Sequence, residues 1–131
     1  MRGAVKNESH ETCPQPDERS ICPANLKKSV QWYAELLGLK IDLETVRSPV
    51  YNIPVAGTTS LTLDDHSFDP HFVHNPGTNS IFNFYAPDIE AALTFIQGLG
   101  IEKVRDLEWA GGTAWFHIKD PDGNVMMICN C

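Results

Sequence analysis

Two segments of the chain place apolar residues on one face of a helix, and both begin and end with similar residue types. One runs from Asn25 to Gly38 and the other from Asp88 to Gly100, so their starts are 63 residues apart. Asn and Asp accept backbone N–H bonds as N-caps, and Gly readily adopts the left-handed conformation that ends a helix. The apolar positions are Leu26, Val30, Tyr33 and Leu37, then Ile89, Leu93, Ile96 and Leu99. The pattern predicts one helix that occurs twice.

Short runs of β-forming residues surround the second helix. One run precedes it over 80–85, and three follow it over 101–105, 113–119 and 125–129. The last two runs are joined by Asp120-Pro-Asp-Gly-Asn124, whose residue types favour a tight hairpin turn. The segment therefore predicts a βαβββ module.

The first half of the chain repeats this plan. Strands are expected over 20–23, 40–44, 50–55 and 60–64, with the first helix after the opening strand. We assign residues 19–65 and 79–131 to two modules of one domain. Residues 66–78 form a polar linker between them, and residues 1–18 form an N-terminal arm without periodicity.

Composition and charge narrow the classes of partner. The 131 residues are 42% hydrophobic and 21% charged, which is typical of one globular domain. The net charge of -7 makes nucleic acid an unexpected partner. The negative charge attracts a cationic ligand if the acidic residues lie near a pocket. The alternative is that the charge serves solubility alone. The sequence offers no apolar stretch of the kind found in membrane spans or signal peptides, so we expect a cytoplasmic protein without membrane contact.

The chain has four cysteines, Cys13, Cys22, Cys129 and Cys131. Because the cytoplasm is reducing, we expect free thiols rather than disulfides. The alternative is a soft-metal site that combines Cys129 and Cys131 with Cys13 or Cys22, although the paired CxxC spacing of zinc sites is missing.

The two tandem units resemble the vicinal oxygen chelate superfamily, which includes glyoxalases, bleomycin-resistance proteins and extradiol dioxygenases. The resemblance rests on helices that start N/D-L/I-x-x-S/A and end Leu-Gly, and on the Asp-Pro-Asp-Gly-Asn turn, and it covers residues 19–131. It implies an α+β fold in which two tandem βαβββ modules form a half-barrel cup around a ligand. A shared fold does not imply a shared reaction, so activity has to be argued from the site.

The resemblance also indicates where metal ligands would lie. In metal-using relatives, inward-facing His, Gln or Glu side chains come from the first and last strands of each module, and the second-module positions fall on Ile81 and Met127. Neither is an ordinary ligand for a hard or borderline cation. The first-module positions fall on Glu18 and on a strand whose inward residues are Ser60 and Thr62. We therefore expect no metal cofactor, with a divalent metal as the alternative.

Strand alternation separates residues that face the cup from those that face the helices. With Ile81 and Met127 inward, the turn pairs Lys119 with Val125 and His117 with Met127, so His117 faces inward. The predicted core face comprises Phe82, Phe84, Phe116, Ile118, Met126 and Ile128, while Val125 and Cys129 face the cup. The predicted ligand-binding residues are Ser60, Thr62, Asn83, Tyr85, Trp109, Trp115, His117 and Met127. Such a mixture of polar and apolar groups is typical of a small-molecule pocket.

His117 is the foremost candidate for chemistry. An imidazole titrates near neutrality and can move a proton, and the resemblance places an acid/base residue of dioxygenases at this position. The alternative is a buried histidine bonded to Asn83 or Tyr85. Trp109 is interpreted either as part of a mobile lip over the ligand or as a packed loop residue.

The linker contains three histidines, His66, His71 and His74, near several aspartates. A solvated linker is favoured over a metal site, because a loop does not fix ligand geometry.

The leading hypothesis is a protein that binds a small molecule in the cup without metal, similar to the antibiotic-sequestering branch of the superfamily. One alternative is a metal-dependent lyase, transferase or dioxygenase with a divergent site that includes Glu18 and His117. The other is an interaction module in which Ile81, Trp115 and Met127 fill the cavity. We expect a homodimer, because symmetric pairs are the commonest soluble assembly.

Overall fold

The computed structural model describes residues 23–69 and 71–131, which divide into two compact units between Asn75 and Pro76. The first unit contains helix α1 (Pro23–Leu37), a 3-10 helix (Leu43–Thr45) and strands β1 (Val50–Ala56) and β2 (Thr59–Asp64). The second contains strand β3 (Asn83–Tyr85), helix α2 (Ile89–Gly98) and strands β4 (Lys103–Ala110), β5 (Thr113–Lys119) and β6 (Val125–Cys129). The α+β fold class is as predicted. Neither helix is long and apolar enough, over the described residues, to cross a membrane.

The second unit has the predicted βαβββ order. Its strands are arranged β3-β6-β5-β4, with β3 parallel to β6 and the other pairs antiparallel. β5 and β6 have the predicted bounds, whereas β3 is shorter and β4 is longer than predicted. β4 continues to Ala110 because Gly111, at φ 65°, turns the chain directly into β5.

Both helices end in the same way. In α1 the amides of Gly38 and Leu39 bond back to carbonyls of the last turn at 3.3 and 2.8 Å. In α2 the amides of Gly100 and Ile101 do so at 3.0 and 3.3 Å. Each glycine has a positive φ, 69° and 80°, and this pair of bonds with a left-handed residue is the Schellman motif. The predicted helix-ending role of Gly38 and Gly100 is confirmed.

The two helices start differently. Asp88 caps α2 as predicted, since its carboxylate accepts the amide of Ala91 at 3.0 Å. Helix α1 begins at Pro23, so Asn25 lies within its first turn and the prediction that Asn25 is the N-cap is wrong. Proline suits the first helical position because its φ is already helical and its missing N–H would have no partner there.

The first unit departs from the predicted strand plan. The segment over 40–44 forms no strand, and Leu43–Thr45 is a 3-10 helix instead. The Asp42 carboxylate accepts the amide of Glu44 at 3.0 Å, and the Thr45 hydroxyl donates to the Asp42 carbonyl at 2.7 Å. These local bonds compete with strand pairing. The strands over 50–55 and 60–64 are confirmed as an antiparallel pair. The predicted arm and residues 20–22 of the predicted opening strand lie outside the described residues, and Pro23, the last residue of that predicted strand, begins α1 instead.

One face of the second sheet is an apolar core. Phe116 is 0% exposed, and Ile118, Met126 and Ile128 are also buried. Phe116 pairs with Ile128 and Ile118 with Met126, which places the four side chains on one face. The predicted register, with Lys119 opposite Val125 and His117 opposite Met127, is confirmed.

Asp120 fixes the turn that sets this register. Its carboxylate accepts the amides of Asp122 and Asn124 at 2.9 and 2.8 Å, and the Asn124 side chain at 3.0 Å. Gly123 follows with φ 89°, a conformation that favours glycine. The turn chemistry therefore decides which residues of β5 face away from the core.

Candidate functional site on the second sheet

We call the face of the second sheet opposite the apolar core the His117 face. It carries two rows of paired residues. The first row is Asn83, Met127, His117 and Arg105, read across β3, β6, β5 and β4. The second row is Tyr85, Cys129, Trp115 and Glu108. Directly paired residues point to the same side of a sheet, so these side chains share one face. The structure thus brings together five predicted binding residues, namely Asn83, Tyr85, Trp115, His117 and Met127.

His117 is a buried imidazole whose Nδ1 atom has no hydrogen-bond partner among the described residues. The residue is 8% exposed. The alternative bond of the ring to Asn83 or Tyr85 is not formed at this nitrogen, because strand β6 separates β5 from β3 and adjacent strands lie about 4.8 Å apart. A buried polar atom without a partner costs about 1–3 kcal/mol. The atom is therefore a candidate for hydrogen bonding by a ligand.

The surroundings of His117 lower its pKa below the ordinary value of 6.5. Burial is the largest cause, because it disfavours the charged ring. The positive charge of Arg105 lowers the pKa further, and the negative charge of Glu108 opposes this more weakly. His117 is consequently neutral at pH 7, with one ring nitrogen that donates and one that accepts.

Glu108 connects Trp115 to Arg105. Its Oε1 accepts the indole Nε1–H of Trp115 at 2.8 Å, and its Oε2 lies 3.4 Å from Nη2 of Arg105. The ion pair is largely exposed and adds little stability, so the main effect of Glu108 is to orient the indole beside His117. Sequence reasoning missed Arg105 and Glu108, because two register shifts in β4 interrupt the alternation on which a face is assigned.

The lowered pKa of His117 predicts a loss of stability on the acid side of neutrality. The unfolded chain takes up this proton near pH 6.5, whereas the folded protein resists it until a lower pH. Below about pH 6.5 the unfolded state therefore binds more protons, and the free energy of unfolding falls until the folded pKa is passed. Urea titrations of the wild type and His117→Gln between about pH 5 and 8 measure how much of the pH dependence of the free energy of unfolding comes from His117. The variant should lack this contribution, and identical pH profiles would contradict the assignment.

The remaining predicted binding residues lie elsewhere. Trp109 belongs to β4 and pairs with Ala114, on the face of Phe116, so the interpretation of its segment as a loop is wrong, and its role in ligand binding stays a prediction. Ladder pairing rather than a loop fixes its backbone. Ser60 and Thr62 lie on an exposed face of β2 in the first unit, where the Thr62 hydroxyl donates to the Asn52 side chain at 2.6 Å. Their role in binding stays a prediction.

Two of the three linker histidines, His66 and His74, lie near the ring of Phe72. His66 stacks on Phe72 with ring centroids 3.5 Å apart, and His74 lies 6.4 Å from Phe72 at a tilt. His66 Nδ1 is 3.9 Å from an oxygen of Asp64. Over residues 23–69 and 71–131, no three His, Cys, Asp or Glu side chains are grouped to hold a metal ion.

The donors of the His117 face do not suit a divalent metal either. His117 has the thioether of Met127 and the guanidinium of Arg105 as its paired neighbours, and both oxygens of Glu108 are already engaged. Hard and borderline cations require several oxygen or nitrogen donors, and Arg105 repels them. The apolar Ile81 is largely exposed. The other predicted candidate ligand, Glu18, lies outside the described residues.

Cys129 and Cys131 are joined by a disulfide, so the expectation of free thiols is wrong for this pair. Their Cα atoms are 5.4 Å apart, which is within the range that a disulfide spans. A bridged sulfur is not a thiolate, so in this form the pair does not provide the predicted alternative of a soft-metal site. Cys13 and Cys22 lie outside the described residues.

Comparisons with known proteins agree with the architecture. The sequence profile of the Glyoxalase/Bleomycin resistance protein/Dioxygenase superfamily matches residues 17–128. A search of curated proteins finds no match to the chain.

Several solved structures have a similar fold. A superfamily member from Sphaerobacter thermophilus DSM 20745 is 20% identical, with 85% of this chain and 91% of that chain covered at a TM-score of 0.61. A lactoylglutathione lyase from Agrobacterium tumefaciens is 19% identical, with 88% and 93% covered at 0.56. TioX from Micromonospora sp. ML1 is 12% identical, with 89% and 94% covered at 0.55. At these identities the similarity concerns the fold alone.

Proposed function

Because the chain belongs to the glyoxalase/bleomycin resistance protein/dioxygenase superfamily, we propose that it binds a small organic molecule against the His117 face without requiring a metal. The observation that carries this proposal is the buried Nδ1 atom of His117, which no described residue bonds. A ligand that bonds this nitrogen recovers free energy lost on burying it, and this gain contributes to affinity. The ring remains neutral at pH 7, so it serves as a hydrogen-bonding group.

The charges near His117 favour a neutral or anionic group on the ligand. At the ring, the positive charge of Arg105 outweighs the negative charge of Glu108. A cationic group placed there lies near the like charge of Arg105, which disfavours it, although the net charge of -7 attracts cations from a distance. We therefore do not extend the expectation of a cationic ligand to this position.

The neighbours of His117 favour an aromatic or otherwise flat ligand. The indole of Trp115 is held by Glu108, so it offers a surface with little remaining freedom. Tyr85 lies in the same row and is largely exposed. Met127 adds an adaptable apolar contact beside His117. Binding of this kind needs no chemical step, and the homodimer expected from the sequence stays a prediction.

Two-dimensional NMR on chelator-treated protein tests the proposal. Neutral, anionic and cationic aromatic fragments are titrated in turn, and the indole N–H signals are followed. Neutral or anionic fragments should shift the Trp115 signal, whereas Trp109, which lies on the opposite face, is the internal control. Binding that moves Trp109 and not Trp115, or that appears only after zinc or nickel is added, would contradict the proposal. A response to cationic fragments alone would contradict the predicted ligand charge.

A further inference from the structure

A disulfide lies at one end of the His117 face, and it has features of a reversible bond. It joins Cys129, the last residue of β6, to Cys131, with one residue between them. We propose that this pair is a redox site: it exchanges with small thiols of the glutathione class, and its state alters the His117 face. The inference does not depend on the ligand proposal, because it concerns the protein alone.

The bridge contributes little as a structural crosslink. The effect of a disulfide on the unfolded chain grows with the length of the loop it closes, and this loop has a single intervening residue. The same segment is already held by Asn130, whose backbone amide donates to the Ala114 carbonyl at 3.1 Å. The Asn130 side chain accepts the Ala114 amide at 2.8 Å and donates to the Gly112 carbonyl at 3.1 Å. These bonds keep the end of β6 beside β5 when the disulfide opens.

The two sulfurs differ in access. Cys131 is exposed, whereas Cys129 is fully buried. Exchange begins when a thiolate attacks one sulfur of the bridge, so an incoming thiol meets Sγ of Cys131. The backbone amide of Cys131 lies 3.1 Å from Sγ of Cys129 and donates to it. This donor stabilises the negative charge that Cys129 acquires as the leaving group.

The exchange transfers two electrons in two steps. In the first, an external thiolate forms a mixed disulfide with Cys131, the bond to Cys129 breaks, and the electron pair stays on the Cys129 sulfur. In the second, another external thiolate attacks the external sulfur of the mixed disulfide and releases Cys131 as a thiolate. The protein thiolates take up the two protons that the external thiols lost. Two external thiols become one disulfide, and the protein disulfide becomes two thiols.

Cys129 connects the redox state to the His117 face. It pairs directly with Trp115 on β5 and with Tyr85 on β3. Reduction removes the bond that directs Sγ of Cys129 towards Cys131, and it leaves a thiol with rotational freedom in the row that contains both aromatic side chains. The environment of the Trp115 indole should therefore differ between the two states.

The test uses a variant in which Cys13→Ser and Cys22→Ser leave only this pair to titrate. The protein is equilibrated in buffers that range from oxidised to reduced glutathione, trapped by alkylation and analysed by mass spectrometry. We expect the peptide that contains both cysteines to change from at least about nine-tenths oxidised to at most about one-tenth oxidised within this range, while the protein stays folded. The Trp115 indole N–H signal should move with the same midpoint, and the Trp109 signal should not.

Cys131→Ser in the same background is the matched control, because it keeps Cys129 and cannot form the bridge. Its Trp115 signal should resemble that of the reduced protein and should not respond to the buffer series. A pair that stays in one state across all buffers while the protein is folded would overturn the proposal. An identical Trp115 signal in the oxidised and reduced proteins would overturn the connection to the His117 face. No ligand is present, so these outcomes are separate from those of the fragment titration.

Discussion

Phe116→Ala is expected to lower the free energy of unfolding by about 3–5 kcal/mol, a large share of the stability of a typical domain. Phe116 is 0% exposed and pairs with Ile128 on the apolar face of the second sheet. Removal of the ring forfeits its transfer free energy and leaves a cavity that the neighbouring strands cannot fully close. Phe95→Ala on α2 is the matched control, because Phe95 is 49% exposed and its loss should cost less than about 1 kcal/mol.

Urea unfolding at neutral pH, followed by circular dichroism, measures both variants. If Phe116→Ala does not fold, Phe116→Leu removes less volume and should show a smaller loss in the same direction. Equal losses for the Phe116 and Phe95 variants would mean that Phe116 is not in the core. The assignment of His117 to the opposite face would then fail as well, since the two residues are consecutive in one strand.

The parts of the fold that the sequence predicted well depend on local chemistry. The bounds and register of β5 and β6 follow from the turn at Asp120, whose carboxylate bonds the amides that the turn leaves unpaired. Gly38 and Gly100 end their helices because each takes a positive φ at little steric cost. With the turn fixed, alternation alone puts Phe116 in the core and His117 on the other face.

The parts that the sequence did not predict depend on irregular pairing. The shifts in β4 place Arg105 and Glu108 on the His117 face and Trp109 on the other, and no residue type in β4 signals them. The 3-10 helix at Leu43–Thr45 arises from side-chain bonds of Asp42 that compete with a strand. Free thiols were expected because the cytoplasm is reducing, whereas the short spacing brings Cys129 and Cys131 within bonding distance.

His117→Leu is expected to separate stability from binding. Leucine fills much of the volume of the imidazole but has no polar atom, so the variant no longer buries Nδ1 without a partner. Replacement of such a group by an apolar one is neutral or stabilising. At pH 7.5 the ring of the wild type is neutral. We expect the free energy of unfolding of the variant to be unchanged or raised by at most about 3 kcal/mol. Urea unfolding measures this change against the wild type.

Fragments that bind the His117 face should bind this stabilised variant about 5- to 150-fold more weakly, which corresponds to the loss of about 1–3 kcal/mol of hydrogen bonding. Calorimetric titration at the same pH measures the affinity. Phe116→Leu is the matched control from the opposite face: it should lose stability and, while folded, keep its affinity, because Phe116 faces the core. The reverse pattern, in which His117→Leu loses stability and keeps its affinity, would identify His117 as a packing residue. The buried Nδ1 atom would then have no role in recognition, and the proposal that a ligand binds the His117 face would fail.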